Sequence, residues 1–271
     1  MQDALDLESY LARIGHRGPL APDMATLAAL QAAHVDAITF EALDPLLGRP
    51  VHVDLPSVQQ KLVHSRRGGY CFEQNVLFKA VLEDIGFHVT GLTGRVRWRS
   101  APEDPLGPRQ HMMLLVEIDG HPHLVDVGFG ICMMDAPVRL EIGPEQQTPM
   151  GTFRIGTWNN LTTVSAKQPA GWRMMYAFDL APQIHADYVL GNWYTSTNPT
   201  VPATHTLMME RVQPGERHKL VGRRYQRQAR DGEVIAERII ESAAELGRVM
   251  DEIFRVTPPV AIEDIWARTT I

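Results

Sequence analysis

Arg67-Gly68-Gly69-Tyr70-Cys71-Phe72-Glu73-Gln74-Asn75 sets a cysteine where a glycine-bearing loop runs into a helix. Beyond it the apolar side chains fall at Phe72, Leu77, Phe78, Val81, Leu82 and Ile85, a helical spacing that Gly86 closes. This places Cys71 in the first turn, where unpaired backbone N–H groups and the positive end of the helix dipole favour thiolate over thiol. Gly68 and Gly69 permit a tight bend and a close backbone approach beside it. Free cysteines are commonly just small buried hydrophobes, so a nucleophile needs a base and an orienting group from elsewhere in the chain.

Both come from a second stretch. Arg109–Ile118 and His121–Gly130 are apolar runs joined by Asp119-Gly120, which predicts a β-hairpin. With the turn centred there, Ile118 faces His121 and Met113 faces Asp126, and side-chain alternation puts His111, Met113, Asp126 and Gly128 on one face. His111 and Asp126 are then diagonal neighbours with backbones roughly 7–8 Å apart, a gap that one imidazole–carboxylate hydrogen bond bridges. Taken singly, His111 reads as a satisfied core histidine and Asp126 as a strand-end cap. Joined to a cysteine at a helix start, they make a nucleophile, a base that works near neutral pH and a carboxylate that fixes the base's tautomer.

These residues resemble the arylamine N-acetyltransferase family, whose hallmark is Arg-Gly-Gly-aromatic-Cys-aromatic-Glu-x-Asn, then an Arg-x-His strand, then Val-Asp-Val-Gly-Phe-Gly. The counterparts are Arg67–Asn75, Arg109–His111 and Val125–Gly130, with further similarity at Ile38–Leu43 and Asn192–Thr197. The resemblance spans nearly the whole chain. It implies an α+β fold with an N-terminal helical bundle, a central β-barrel and a C-terminal α/β lid around a papain-like Cys-His-Asp core. It further implies that Cys71 accepts the acetyl group, His111 is its base and Asp126 orients the base. Glu41 and Arg67 would form an ion pair bracing the loop before Cys71, and Phe40 and Phe129 would wall the acceptor pocket. The partners implied are acetyl-CoA, as cosubstrate and not as a permanently bound cofactor, and a small aromatic amine or hydrazine. Thr39, Ala42, Gln110 and Ala203 depart from the family pattern, which bears on acceptor range and rate.

The chain order agrees with this architecture. Residues 1–86 read as helices at Leu7–Ile14, from Asp23 through Val35, from Pro56 to His64 and after Cys71. Residues 87–181 read as strands at Val89–Trp98, in the hairpin, and around 152–155, 160–164 and 172–178. Residues 182–205 hold a connecting helix from Pro182 to Asn192. Residues 206–271 carry strands at Thr206–Val212, Lys219–Arg227 and Val234–Ile240, a Ser242-capped helix to about Val256 and a short helix near Ile262–Arg268. Nucleophile and base thus come from different units, and the site falls at their junction.

Composition narrows the function classes. A chain of 271 residues that is 44% hydrophobic can fill two or three packed units. A net charge of −6 argues against a nucleic-acid partner. No apolar run reaches the roughly eighteen residues of a membrane span. The acidic start, Met1–Asp6, lacks signal-peptide character, and two cysteines suit a reducing cytoplasm. His121 and His123 make a poor metal site, so no metal is expected. Cys132, with no evident basic neighbour, reads as packing, and the paired methionines at 112–113, 174–175 and 208–209 as adaptable core filler. Two basic runs, Arg95–Arg99 and Lys219–Arg227, read first as solvated strand faces, with the phosphates of coenzyme A as the alternative. The triad alone also fits a transglutaminase- or protease-like enzyme, an amide-forming enzyme, or an inactive homologue that binds coenzyme A or an arene. Oligomeric state is not legible.

Overall fold

The computed structural model describes residues 5–269, so the acidic start up to Ala4 lies outside the described residues. Helix α1 (Leu7–Ile14) is capped by Asp6 and closed by Gly15 in the left-handed region, and α2 (Met24–Ala37) is capped by Asp23. A two-residue strand, β1 (Phe40–Glu41), leads into α3 (Leu43–Leu46). Helix α4 (Leu55–Gln59) runs on as one π-turn (Gln60–His64), and α5 spans Cys71–Ile85. The helix predicted from Pro56 to His64 is thus continuous but widened, and that after Cys71 has its predicted ends.

The strands that follow are β2 (His88–Val96), β3 (His111–Ile118), β4 (His121–Val125), β5 (Val138–Arg139), β6 (Glu145–Gln147), β7 (Thr152–Trp158), β8 (Leu161–Gln168) and β9 (Gly171–Phe178). All pair antiparallel in the order β5-β4-β3-β2-β9-β8-β7-β6. The sheet coils into a nearly closed barrel, drawn together where Ile142, just past β5, bridges Ile155 of β7. Helix α6 (His185–Thr197) comes next. A second sheet orders β1-β10-β11-β12-β13, with β10 Met208–Gln213, β11 Glu216–Val221, β12 Arg224–Gln228 and β13 Val234–Ile239. Helices α7 (Ala243–Arg248, extended by a π-turn to Ile253) and α8 (Ile262–Trp266) complete the chain.

Two predicted elements need correction. The run Lys219–Arg227 is not one strand: Gly222, at φ +58°, reverses the chain so that β11 and β12 pair with each other. The connecting helix starts at His185 and continues to Thr197, because Pro182 precedes the first turn and Ser196 and Thr197 bond back to the carbonyls of Asn192 and Trp193 instead of ending the helix.

Strand β3 is the shared wall. Its Met112, Leu114 and Val116 pack with Phe72, Leu77 and Phe78 of α5 in the helical core, whereas Met113 packs with Leu92, Phe129 and Tyr176 inside the barrel. The 112–113 pair is therefore filler for two different cores. A third core joins the five-stranded sheet to α7 and α8 through Leu220, Met250 and Phe254. Close approaches at two glycines seat α6: a Cβ on Gly91 would lie 1.8 Å from the Tyr188 hydroxyl, and one on Gly191 would lie 2.6 Å from the Phe72 ring. Among the described residues, no helix is long and apolar enough to cross a membrane.

Candidate active site

Cys71 is the first residue of α5 and is buried. The turn ahead of it is anchored by the Glu73 carboxylate, which accepts from the Tyr70 backbone N–H at 3.1 Å, and by Gln74. The Gln74 amide donates to the carbonyls of Thr39 (3.1 Å) and Gly69 (3.2 Å) and accepts from His34 Nε2 at 2.7 Å. His34 also meets the Tyr10 hydroxyl at 2.9 Å, and burial pushes its pKa down to about 4, so this inner strut is neutral. The two glycines are required by space. A Cβ on Gly68 would stand 1.9 Å from the Thr39 carbonyl oxygen, and one on Gly69 would stand 2.7 Å from Glu73. Because backbone blocks it, Gly68→Ala is expected to destabilise the fold by roughly 1–3 kcal/mol, read as an earlier midpoint in urea unfolding; an unchanged midpoint would contradict the packing described.

The hairpin has the predicted register, Ile118 opposite His121, although β4 stops at Val125 and Asp126 lies one residue past its end. The predicted pair is formed: His111 Nε2 and Asp126 Oδ2 are 2.6 Å apart with both side chains buried. Nδ1 is then the ring nitrogen that Asp126 leaves free, and Cys71 acts on the ring in the same direction as Asp126. The thiol also points to the Gln110 carbonyl at 3.8 Å. Burial acts to lower the His111 pKa, but the charge and hydrogen bond of Asp126, helped by Cys71, outweigh it and push it up to about 10. The structure therefore brings Cys71, His111 and Asp126 together.

Asp126 can sit buried because each oxygen has two donors. Oδ2 accepts from His111 and from the Tyr176 hydroxyl at 2.9 Å, and Oδ1 accepts from Gly128 N at 2.9 Å and Asn75 Nδ2 at 3.2 Å. Asn75, one helical turn after Cys71, also donates to the Met112 carbonyl at 2.9 Å and accepts from Val127 N at 3.3 Å, clamping α5 to the hairpin. Asn75 stands in the motif around Cys71 with no role evident from its residue type, and Tyr176, on β9, has no local signal linking it to Asp126. The only available signal was that a buried Asp needs donors.

Phe129 packs edge-on to His111 with centroids 5.0 Å apart, and Phe40 lies over Gly130, where a Cβ would sit 2.1 Å from its ring. Glu41 and Arg67 form their ion pair at 2.7 Å. The pair belongs to a larger buried set in which Arg67 also meets Asp44 at 3.0 Å and Lys61 joins Asp44 (2.7 Å) to Glu73 (2.6 Å). Burial lifts the Glu73 pKa to about 6 despite Lys61. Of the departures from the family pattern, Thr39 donates its hydroxyl to the Phe254 carbonyl at 2.5 Å, Ala42 and Ala203 are buried, and Gln110 offers its carbonyl to Cys71.

Cys132 corrects an expectation. Arg217, fully buried on β11, donates to its sulfur at 3.5 Å and to the Met133 carbonyl at 2.8 Å. This basic neighbour comes from a strand far away in the sequence, which local inspection around Cys132 does not reveal.

Comparison with known proteins agrees with this geometry. A family model described as N-acetyltransferase matches residues 23–261. The arylamine N-acetyltransferase of Mycolicibacterium smegmatis is 42% identical over 223 residues, 81% of each chain. That of Escherichia coli K12 is 38% identical, covering 92% of this chain and 88% of its own. The solved structure of Mycobacterium marinum arylamine N-acetyltransferase in complex with CoA superposes with a TM-score of 0.92 at 35% identity, covering 97% and 98% of the two chains. With likeness of this extent around a buried Cys–His–Asp cluster, the chain belongs to the arylamine N-acetyltransferase family and is an acyltransferase.

Proposed function

We propose that the protein transfers acetyl from acetyl-CoA to the nitrogen of an arylamine or arylhydrazine through an acetyl-Cys71 intermediate. The observation that carries this reading is the cysteine at a helix start beside an imidazole whose far nitrogen is held at 2.6 Å by a buried carboxylate. In the first half-reaction the Cys71 sulfur, its proton held by His111, attacks the thioester carbonyl carbon, and His111 returns a proton to the departing coenzyme A thiolate. In the second, the amine attacks the acetyl-cysteine carbonyl, His111 takes the amine's proton, and the Cys71 thiolate leaves. Backbone N–H groups at the start of α5 stabilise the tetrahedral oxyanion in both.

In this reading Cys71, His111 and Asp126 form a papain-like core, and Glu41 and Arg67 hold its loop. Phe40 and Phe129 wall the acceptor site, a role that suits aromatic nitrogen nucleophiles. Functionally the chain divides into a nucleophile-bearing part to residue 86, a base-bearing part to 181, a connector to 205 and a lid formed by the rest.

The test is mass spectrometry of the intact protein. Acetyl-CoA without amine should add one acetyl group, mapped to Cys71, and later addition of an aromatic amine should remove it. Acetyl appearing on another residue, or none from a thioester that the protein turns over with amine present, would overturn the covalent route.

A further inference from the structure

Helix α6 is built inside out. Its inward face carries Tyr188, Gly191, Asn192, Thr195 and Ser196, all buried and mostly polar or small. Its outward face, at the spacing i, i+3, i+4, i+7, carries Ala186, Val189, Leu190 and Trp193, all exposed. Leu190 is 67% exposed and Trp193 62%. An ordinary surface helix has these two faces the other way round. Ten large apolar side chains are exposed among the described residues, and five of them, Leu180, Ile184, Val189, Leu190 and Trp193, lie between positions 180 and 193.

The inward polarity has a structural cause. Asn192 accepts from the Tyr70 hydroxyl and donates to the Val51 carbonyl at 2.9 Å, and Thr195 donates to the Gln110 carbonyl at 3.4 Å. Tyr70 directly precedes Cys71, and Gln110 directly precedes His111. The inner side of α6 thus braces the segments beside the reacting groups. Nothing in the protomer accounts for the outer side.

The chemistry of that outer side selects its cover. From His185 to Thr197 the helix has no lysine or arginine, and its one acid, Asp187, accepts from the Ile184 backbone N–H at 2.9 Å. A helix that lies on a membrane carries basic residues beside its apolar stripe, so a lipid surface is disfavoured. Another neutral apolar stripe fits, and this one is its own complement. With a two-fold axis crossing between Val189 and Leu190, antiparallel α6 helices set Ala186 of each copy against Trp193 of the other, and Val189 against Leu190. The smallest side chain meets the largest. Together with Leu180 and Ile184 the patch exposes roughly 600 Å² of apolar surface, so that two copies remove about 1,200 Å², the size at which stable interfaces begin.

We infer that α6 joins two copies of this chain, paired antiparallel through Ala186, Val189, Leu190 and Trp193. Pairing takes the exposed stripe out of water and presses each α6 onto the Tyr70 and Gln110 segments of its own protomer.

Sedimentation velocity of the full chain tests this. The parent should sediment at twice the chain mass at about 50 μM and dissociate on dilution, as an interface of this modest area requires. Leu190→Glu should be monomeric at that concentration, and Trp193→Ala should weaken association at least tenfold, each with the parent's far-ultraviolet circular dichroism. Ala186→Trp alone should also weaken it, because two indoles then collide. Ala186→Trp combined with Trp193→Ala puts each indole opposite an alanine again and should restore association to within about tenfold of the parent. A parent that stays monomeric, a dimer indifferent to Leu190→Glu, or a size swap that recovers nothing would overturn the inference, as would a monomeric parent that cosediments with phosphatidylcholine vesicles.

Discussion

In Cys71→Ser, acetyl transfer from acetyl-CoA to an aromatic amine is expected to fall by roughly 10⁴-fold or more. The substitution exchanges one atom inside a buried, close-packed site, and the serine hydroxyl can still point toward His111 and the Gln110 carbonyl. What is lost is acidity. A thiol near an imidazolium gives up its proton readily, whereas an alcohol does not, so the ring has nothing to polarise at neutral pH. Because the helix start is held by Glu73 and Gln74 and not by the thiol, the variant should unfold at the parent's urea midpoint. Steady-state turnover within tenfold of the parent would exclude Cys71 as the acetyl carrier.

Asp126→Asn should cost about 10³ to 10⁴ in kcat/KM, because an amide cannot stabilise an imidazolium and can turn its N–H₂ toward Nε2, enforcing the wrong tautomer. The same change alters proton binding. Burial by itself lowers the His111 pKa, and Asp126 is the main influence that reverses this and raises it from 6.5 to about 10. Between those values the folded protein holds a proton that the unfolded chain has released. The stability gained this way is complete below pH 6.5 and disappears as pH rises through about 10. Without the carboxylate, burial prevails and the imidazole should titrate below its ordinary value. Nitrogen NMR of His111 in a Cys71→Ala background, with and without Asp126→Asn, reads this directly. A ring that still titrates above neutrality in the double variant would remove Asp126 from its orienting role.

The parts of this site that were legible in the sequence are those written in local signals. The apolar spacing after Phe72 and the glycine at 86 fixed the bounds of α5, and Asp119-Gly120 set the register that puts His111 near Asp126. Glu41 and Arg67 were paired only through the family resemblance, since nothing local links residues 26 apart. Tyr176 was illegible because it reaches Asp126 from a strand 50 residues on. Arg217 was missed at Cys132 for the same reason, at a separation of 85. Helix α6 outran its predicted end because back-bonding hydroxyls at Ser196 and Thr197 kept going what their residue types suggested would stop.

The Asn75 amide, fastened to the Met112 carbonyl and to Asp126, is the joint between the piece of chain that brings the sulfur and the piece that brings the ring. Competence therefore belongs to the seam and to neither piece alone. Loosening along that seam would silence the enzyme while both halves kept their own hydrogen-bonded skeletons, so turnover is a finer gauge of intact assembly than any spectroscopic measure of secondary structure.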